Sequence, residues 1–390
     1  MAEVVSLGCR LNLSESEAMR AMLAAEPDLV VVNSCAVTGE AVRQTRQAIR
    51  RLRRQRPDAR LIVTGCAAEV EREQLAAMPE VDGLLANTAK LDPRSWNTAP
   101  VAPVPSQERH TRAFVAIQNG CDHACTFCVI PQGRGQSRSL PIDRIIPAVA
   151  AHIDAGCGEV VLTGVDLTSW GADLDGSPAL GQAVAAILKA FPGLSRLRLS
   201  SLDGVEIDPL LLDLIVQEPR VMPHVHLSLQ HGDDLILKRM KRRHLRRNAI
   251  DLVAHLRNHR SDLAIGADLI AGFPTEDEAA HRQNLSIIDE LSIVHGHVFP
   301  YSVRQGTPAA RMPQVAPQAI RERAAELRAA VARQRDGWLD TLIGQPQEVL
   351  AERDGTGHAQ NFARVQLPPA TPVGSIVTVT PTCRLEGLLA

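Results

Sequence analysis

Three short runs of β-branched and aliphatic residues, VVSLGC, DLVVVNSC and RLIVTGC, each end in a small or polar residue and then a cysteine: Cys9, Cys35 and Cys66. Two segments with helical patterning, SESEAMRAMLAA and EAVRQTRQAIRRLRRQ, lie between them. Strands separated by helices pair in parallel, because the long crossover replaces the hairpin an antiparallel pair would need. Parallel strands share one C-terminal edge, and ligands bind at that edge in open α/β folds. The pattern predicts a doubly wound parallel sheet over residues 1–90, with three thiols brought together at equivalent strand ends. Cysteine is often only a small buried hydrophobe. Its recurrence at the same point of three successive strands selects convergence instead.

A Pro-rich stretch with four prolines, predicted to be a linker over residues 91–110, separates this region from a longer one spanning 111–335. There the alternation resumes, with strand candidates AFVAIQN, EVVLTGV, RLRLSSL, HVHLSLQ, LAIGADLI and HGHVFPYS. Helical segments fall near 142–155, 178–190, 208–217, 246–259 and 276–291. A closed βα barrel needs eight units, so these predict a partial (βα)6 barrel whose active face is its C-terminal strand edge. The histidine pairs His224/His226 and His295/His297 alternate along two of the strands, as polar filling of a barrel interior would. A long helix, VAPQAIRERAAELRAAVARQR, ends the region, and residues 336–390 change to short alternating strands that predict a small all-β module.

The loop after the first barrel strand reads NGCDHACTFCVIPQGRG and carries Cys121, Cys125 and Cys128 in a C-x3-C-x2-C spacing. Two readings compete. A structural zinc site wants four ligands in a closed tetrahedron. The remaining cysteines are Cys157, predicted at the opposite end of the barrel, and Cys383, in the last module. An iron–sulfur cluster held by three thiolates keeps one iron open and is a reactive site.

Charge narrows the partners. With 42 basic and 44 acidic side chains the chain has no global positive field, so nucleic acid must be met by local patches. Residues 41–60 hold eight arginines against Asp58, and residues 238–247 hold seven lysines and arginines with no acid. Each is a candidate phosphate contact or a solvated helix face. The last module is net acidic, and Phe362 is its one obvious stacking aromatic. No apolar run approaches the roughly 20 residues of a membrane span. A start that runs directly into a strand-like segment predicts a cytoplasmic protein, in which clustered cysteines read as metal-binding or catalytic.

The C-x3-C-x-aromatic-C motif, with Phe127 before its last cysteine, resembles the signature of the radical S-adenosylmethionine enzymes. GCRLN, NSCAVT and TGCAAE resemble the N-terminal domain of one branch, the methylthiotransferases, and VVLTGVDL, LSSLD, HLSLQHGDDLILKRMKR, DLIAGFPTE and VFPYSVRQGTPAARM resemble successive stretches of its barrel. The tail is similar to a TRAM module, a small RNA-binding β-barrel. The resemblance implies two 4Fe-4S clusters, one on Cys121, Cys125 and Cys128, and an auxiliary one on Cys9, Cys35 and Cys66. It implies S-adenosyl-L-methionine as cofactor, with Thr163, Gly164, Ser200, Gln230, Arg242 and Gly266 as candidate contacts. It also implies an electron donor such as flavodoxin or ferredoxin, and a tRNA substrate. The chemistry implied is radical removal of hydrogen from C2 of an adenine, where acid–base catalysis has no purchase, followed by sulfur transfer from the auxiliary site. Within the branch, IQNGCDHACTFC and LRLSSLD look closest to enzymes acting on N6-threonylcarbamoyladenosine in tRNA. Relatives acting on isopentenyladenosine or on a ribosomal-protein aspartate are alternatives, as is a zinc-containing RNA-binding protein without catalysis.

Overall fold

Helical and strand periodicities resolve into two compact units in a computed structural model that describes residues 2–98 and 111–390. The first unit gathers residues 2–98, 119–138 and 302–310, and the second holds 111–118, 139–301 and 311–390. Segments read along the sequence and compact units in space are thus different divisions. The cysteine loop belongs with the N-terminal sheet, and so does a strap from far downstream.

The first unit is built on four parallel strands in the order β1 (Glu3–Ser6), β2 (Leu29–Ser34), β3 (Arg60–Gly65) and β4 (Gly83–Leu84). The run LVVVNS of β2 is buried throughout, as expected for a strand covered on both faces. Helix α1 (Arg10–Met22) lays Met19 against Val4, Val31 and Ile62 on one face. Helix α2 (Gly39–Gln55) lays Val42, Ile49 and Leu52 against Val30, Leu61 and Val63 on the other. Thr38 caps α2, its hydroxyl accepting from the Ala41 amide at 3.1 Å. The first residues of the predicted linker are ordered here: a 3-10 turn at Pro93–Trp96 sets the Trp96 indole to donate to the Lys90 carbonyl at 2.9 Å. The rest of that stretch, 99–110, lies outside the described residues.

In the second unit six strands run parallel. Strands β5 (Arg112–Ala116), β6 (Glu159–Thr163) and β7 (Leu197–Leu199) form one sheet, and β8 (His224–Gln230), β9 (Ala264–Ala271) and β10 (Ile293–Pro300) form another. Isolated parallel bridges, Leu197 to Val221 and Leu202 to Leu227, join the two. One face of the row packs on helices through residues such as Leu162, Val225, Leu227, Ile265 and Leu269. The period of two then turns His224, His226, Ser228 and Asp268 to the opposite, inner face. On β10 a register shift after Ile293 resets the alternation, so Gly296 meets Val331 on the helix side while His295 and His297 face inward. The inward pointing of all four histidines matches the expectation from sequence.

The closing helix α3 (Pro317–Leu342) runs past the predicted boundary, because Leu339 and Leu342 bury their side chains in the C-terminal sheet. That sheet has six short strands: β11 (Gln347–Ala351), β12 (Thr356–Ala359), β13 (Arg364–Gln366), β14 (Ile376–Val379), β15 (Arg384–Leu385) and β16 (Leu388–Leu389). They lie in the order β14-β11-β12-β13-β16-β15, with antiparallel pairs except β13 with β16.

The C-terminal sheet closes the N-terminal end of the parallel strands. Glu159, at the first position of β6, is fully buried and pairs with Arg198 at 2.8 Å. Burial alone pushes the Glu159 carboxyl up, but Arg198, Arg112 and Arg196 together hold it below the usual range. The same arginines reach the sheet: Arg196 donates to the Glu348 carbonyl at 2.7 Å, Arg198 to Gln360 at 3.1 Å, and Arg112 pairs with Glu352 at 2.9 Å. Phe362 stacks on His224 and His358, with ring centroids 4.9 and 4.5 Å apart, and lies 4.8 Å from the Arg198 guanidinium. Burial holds His295, beside it, down at about 3, so this imidazole stays neutral. Phe362 is the one obvious stacking aromatic of the module; its ring is spent on the floor of the strand row, because apolar surface gains more from the closed floor than from water. Phe362→Ala lowers unfolding free energy by about 2–3 kcal/mol, below the value for a fully buried ring. Chemical denaturation measures the loss.

Candidate metal centres

At the C-terminal edge of the first sheet, Cys9 immediately precedes α1, Cys35 follows β2, and Cys66 follows β3. The predicted convergence is present: the thiols of Cys9, Cys35 and Cys66 act on one another electrostatically. Burial, joined by its two neighbours, pushes Cys35 up to about 11, and burial raises Cys66 as well. A cation bound among them displaces those protons. Gly65 makes the tight exit from β3 at φ +90°, where an added Cβ would sit 2.4 Å from the Ser34 carbonyl, so no other residue delivers Cys66 to this edge without strain.

The second trio lies in the same unit. Gly120 turns at φ +77°, the Cys121 amide donates to the Gly135 carbonyl at 3.1 Å, and the Cys128 amide donates to Cys125. Two backbone amides point at sulfur: His123 to Cys121 and Ile130 to Cys128, both at 3.4 Å. Amide donation to sulfur stabilises thiolates and tunes clusters built on them. The strap at 302–310 holds this arrangement: Ser302 accepts from the Gly39 amide at 3.0 Å, and Ala309 donates to the Thr126 carbonyl at 2.9 Å. Phe127 is half-buried in the loop. Cys157 and Cys383 belong to the second unit. Both trios offer soft thiolate donors, the ligand type that iron–sulfur clusters take, so the residues present fit the implied groups.

A buried charge network ties the loop to the sheet, and no sequence signal announced it. Helix α1 carries Glu15, which pairs with Lys90 at 2.5 Å and with Arg134 at 2.9 Å. Arg134, just after the cysteine loop, also donates to Asn12 at 2.5 Å and Asn119 at 2.8 Å. Burial works against all three charges. The two cations still hold the Glu15 carboxyl below its usual range, while Glu15, with Cys66 and Cys9 beside it, holds Arg134 above its own. Two cations against one carboxylate leave a surplus positive charge facing Cys66, which suits a cluster carried by three thiolates. Gly133 packs against Cys66, where a Cβ would lie 3.1 Å from that of the cysteine, and the Asn87 amide donates to the Gly133 carbonyl at 2.5 Å.

In the second unit the predicted cofactor contacts sit at strand ends. Thr163 closes β6, with Gly164 next, where a Cβ would meet the Gln118 carboxamide at 2.9 Å. The Gln118 oxygen accepts from both the Val165 and the Asp166 amides at 2.9 Å. Ser200 follows β7, and its hydroxyl is buried without a hydrogen-bond partner among the described residues. Gln230 ends β8 at φ +69°, a left-handed conformation that non-glycine residues keep mainly at functional or tightly constrained sites. Two candidates are placed otherwise than expected. Arg242 is committed to Asp203 at 2.9 Å and to the Ser228 carbonyl at 2.7 Å. The space over Gly266 is taken by the His226 imidazole, whose Nδ1 lies 2.3 Å from where a Cβ would stand.

The two basic runs are largely internally paired. On and after α2, Arg43 meets Glu40, Arg46 meets Glu71, and Arg53 meets Asp82. In the second run Arg243 pairs with Glu206, Arg246 with Glu290 and Arg247 with Asp251. This favours the solvated, salt-bridged face over a dedicated phosphate clamp.

Residues 115–285 match the sequence model of the Radical SAM superfamily, and residues 2–86 match that of Uncharacterized protein family UPF0004. The threonylcarbamoyladenosine tRNA methylthiotransferase MtaB of Rickettsia prowazekii is 45% identical over 96% of this chain and 93% of its own length. The chain belongs to the radical SAM methylthiotransferase family. A tRNA-2-methylthio-N(6)-dimethylallyladenosine synthase from Erythrobacter litoralis is 33% identical over 90% of this chain and 86% of its own length. Among solved structures, the radical S-adenosylmethionine methyltransferase TsrM from Kitasatospora setae aligns with a TM-score of 0.53 at 14% identity, covering 76% of this chain and 66% of that one. The cobalamin-dependent enzyme OxsB aligns with a TM-score of 0.54 at 10% identity, covering 85% and 56%. These two establish the fold alone. As a family member the chain is a transferase that uses S-adenosylmethionine and 4Fe-4S clusters. Among the described residues no helix is long and apolar enough to cross a membrane.

Proposed function

We propose that this enzyme adds a methylthio group to C2 of N6-threonylcarbamoyladenosine next to the anticodon of tRNA. The observation that carries the reading is the presence of two separate cysteine trios in a chain 45% identical to a relative named for that activity. Cys121, Cys125 and Cys128 hold the cluster that binds S-adenosylmethionine, and Cys9, Cys35 and Cys66 hold the auxiliary one. When bound, these groups supply one-electron cleavage of the cofactor and the sulfur that is transferred. The chain's own residues position and insulate them. The amides of His123 and Ile130 donate to the loop sulfurs, Arg134 and Lys90 balance the thiolates of the first trio, and Gly133 sets the loop against Cys66. The unpartnered Ser200 hydroxyl and the strained Gln230 are the strand-end groups best suited to grip the cofactor, beside Thr163 and Gly164. The C-terminal sheet is read as a TRAM-like module that meets tRNA with surfaces other than the Phe362 ring. A small flavoprotein or ferredoxin supplies the electron, in the cytoplasm.

Digestion of tRNA from a deletion strain to nucleosides, followed by mass spectrometry, tests the reading. Loss of 2-methylthio-N6-threonylcarbamoyladenosine, restored by the intact gene, is the expected result. Loss of the isopentenyl analogue instead would move the substrate to the sister group.

A further inference from the structure

The inner face of the β8–β10 sheet carries a group that the cluster sites do not use. His226 Nε2 and His297 Nδ1 both lie 3.0 Å from the same oxygen of Asp268, and the two imidazoles are tilted at 37° with centroids 4.6 Å apart. Burial pushes the Asp268 carboxyl up, but its hydrogen bonds to His226 and His297 outweigh this and hold it well below the usual range. It is therefore ionised and can only accept, so each histidine donates through the nitrogen that faces it. This fixes both tautomers and both ring orientations, as a carboxylate does for a histidine that must present its other nitrogen. The outcome differs between the rings. The second nitrogen of His226 is turned over Gly266, and its side chain is 10% exposed. The His297 side chain is 62% exposed, and its Nε2 is the open polar end of the group. Below, His224 and His295 are closed off by Phe362, so polar groups line this face from floor to mouth.

We propose that His297, oriented by Asp268, reads the N6 substituent of the target adenosine through its Nε2. The inference rests on the substrate reading above and deepens it. A threonylcarbamoyl group presents a carboxylate, a hydroxyl and a urea. An isopentenyl group presents only hydrocarbon. An imidazole whose Nδ1–H is held by a carboxylate offers an Nε2 lone pair that accepts from a hydroxyl or urea N–H on the other side and is left unpaired under an apolar substituent. A polar group that the bound substrate covers and leaves unpaired rejects that substrate more strongly than an ill-filled apolar pocket does. An inner face built this way thus selects a polar, hydrogen-bond-donating substituent.

The test uses the reconstituted holoenzyme and three anticodon stem-loop RNAs, identical except that the target adenosine carries threonylcarbamoyl, isopentenyl or nothing. Wild type is expected to prefer the first. His297→Phe keeps ring size and removes the polar end. It raises KM for the threonylcarbamoyl RNA by about two- to tenfold, the worth of one neutral hydrogen bond, and levels the preference over unmodified RNA. His297→Gln, which keeps a hydrogen-bonding end, recovers part of that preference, a rescue that a merely structural role does not give. A His297→Phe enzyme that discriminates as wild type does overturns the inference while leaving the substrate reading standing. A wild-type enzyme indifferent to the threonylcarbamoyl group overturns both.

Discussion

Alanine at Cys9, Cys35 and Cys66 together abolishes formation of the methylthio product, and cleavage of S-adenosylmethionine to 5′-deoxyadenosine continues. Two of the three thiols, Cys35 and Cys66, are 4% exposed, so each change removes one sulfur from a packed site and leaves only a small cavity. The sheet that presents them is held by strands β1 to β4 and by the Glu15 network, none of which uses a thiol. The variant therefore folds and keeps the loop trio of Cys121, Cys125 and Cys128. Iron per chain drops by about half. The readouts are iron analysis, 5′-deoxyadenosine yield and nucleoside mass spectrometry on the same preparation. Methylthio product from this variant would show that sulfur does not come through the N-terminal site. Loss of cofactor cleavage would show that the site relays electrons instead.

Glu15→Gln is a strongly destabilising change for all that it conserves shape. Glu15 is 3% exposed and faces Lys90 and Arg134, whose side chains are 1% and 2% exposed. The substitution preserves shape and leaves two buried cations without their anion. Breaking a buried ion pair in this way costs about 3–5 kcal/mol, because the surviving charge cannot be rehydrated in place. The pH dependence has a definite sign. The folded-state pKa of Glu15 lies below its ordinary value of 4.5, so its contribution is present above that value and is lost as pH falls through the folded pKa. The gap between wild type and variant is therefore widest near neutrality and narrows in acid. Denaturant midpoints across a pH series measure it. Adding Lys90→Met to Glu15→Gln removes one stranded cation and recovers part of the loss, and a double variant no more stable than the single one would argue against the electrostatic account.

Local patterns carried as far as chemistry that is local. The alternation of strands and helices, the six clustered cysteines and the inward histidines were legible because a period of two or of 3.6 and a short ligand spacing survive in one dimension. The place of Phe362 was not legible, for the complementary reason. An aromatic in a polar turn looks available for stacking until the partner that covers it, a strand end 138 residues away at His224, is known. Arg242, in the RMKR segment well after β8, and Gly266, in the middle of β9, were sensible by residue type, yet Asp203 and His226 had already claimed them. Nothing in the neighbourhood of either residue along the chain advertises those claims.

The amino-acid sequence by itself determined the parallel α/β class, the two thiolate trios and the family, because each depends on residue type and spacing within a few turns of chain. Only the tertiary structure decided that Glu15 pairs with both Lys90 and Arg134 beside Cys66, that the strap at 302–310 braces the cysteine loop, and that Asp268 aims His297. The reason is physical. A buried charge or an oriented imidazole is defined by the partner that compensates it, and folding brings that partner from a distant part of the chain.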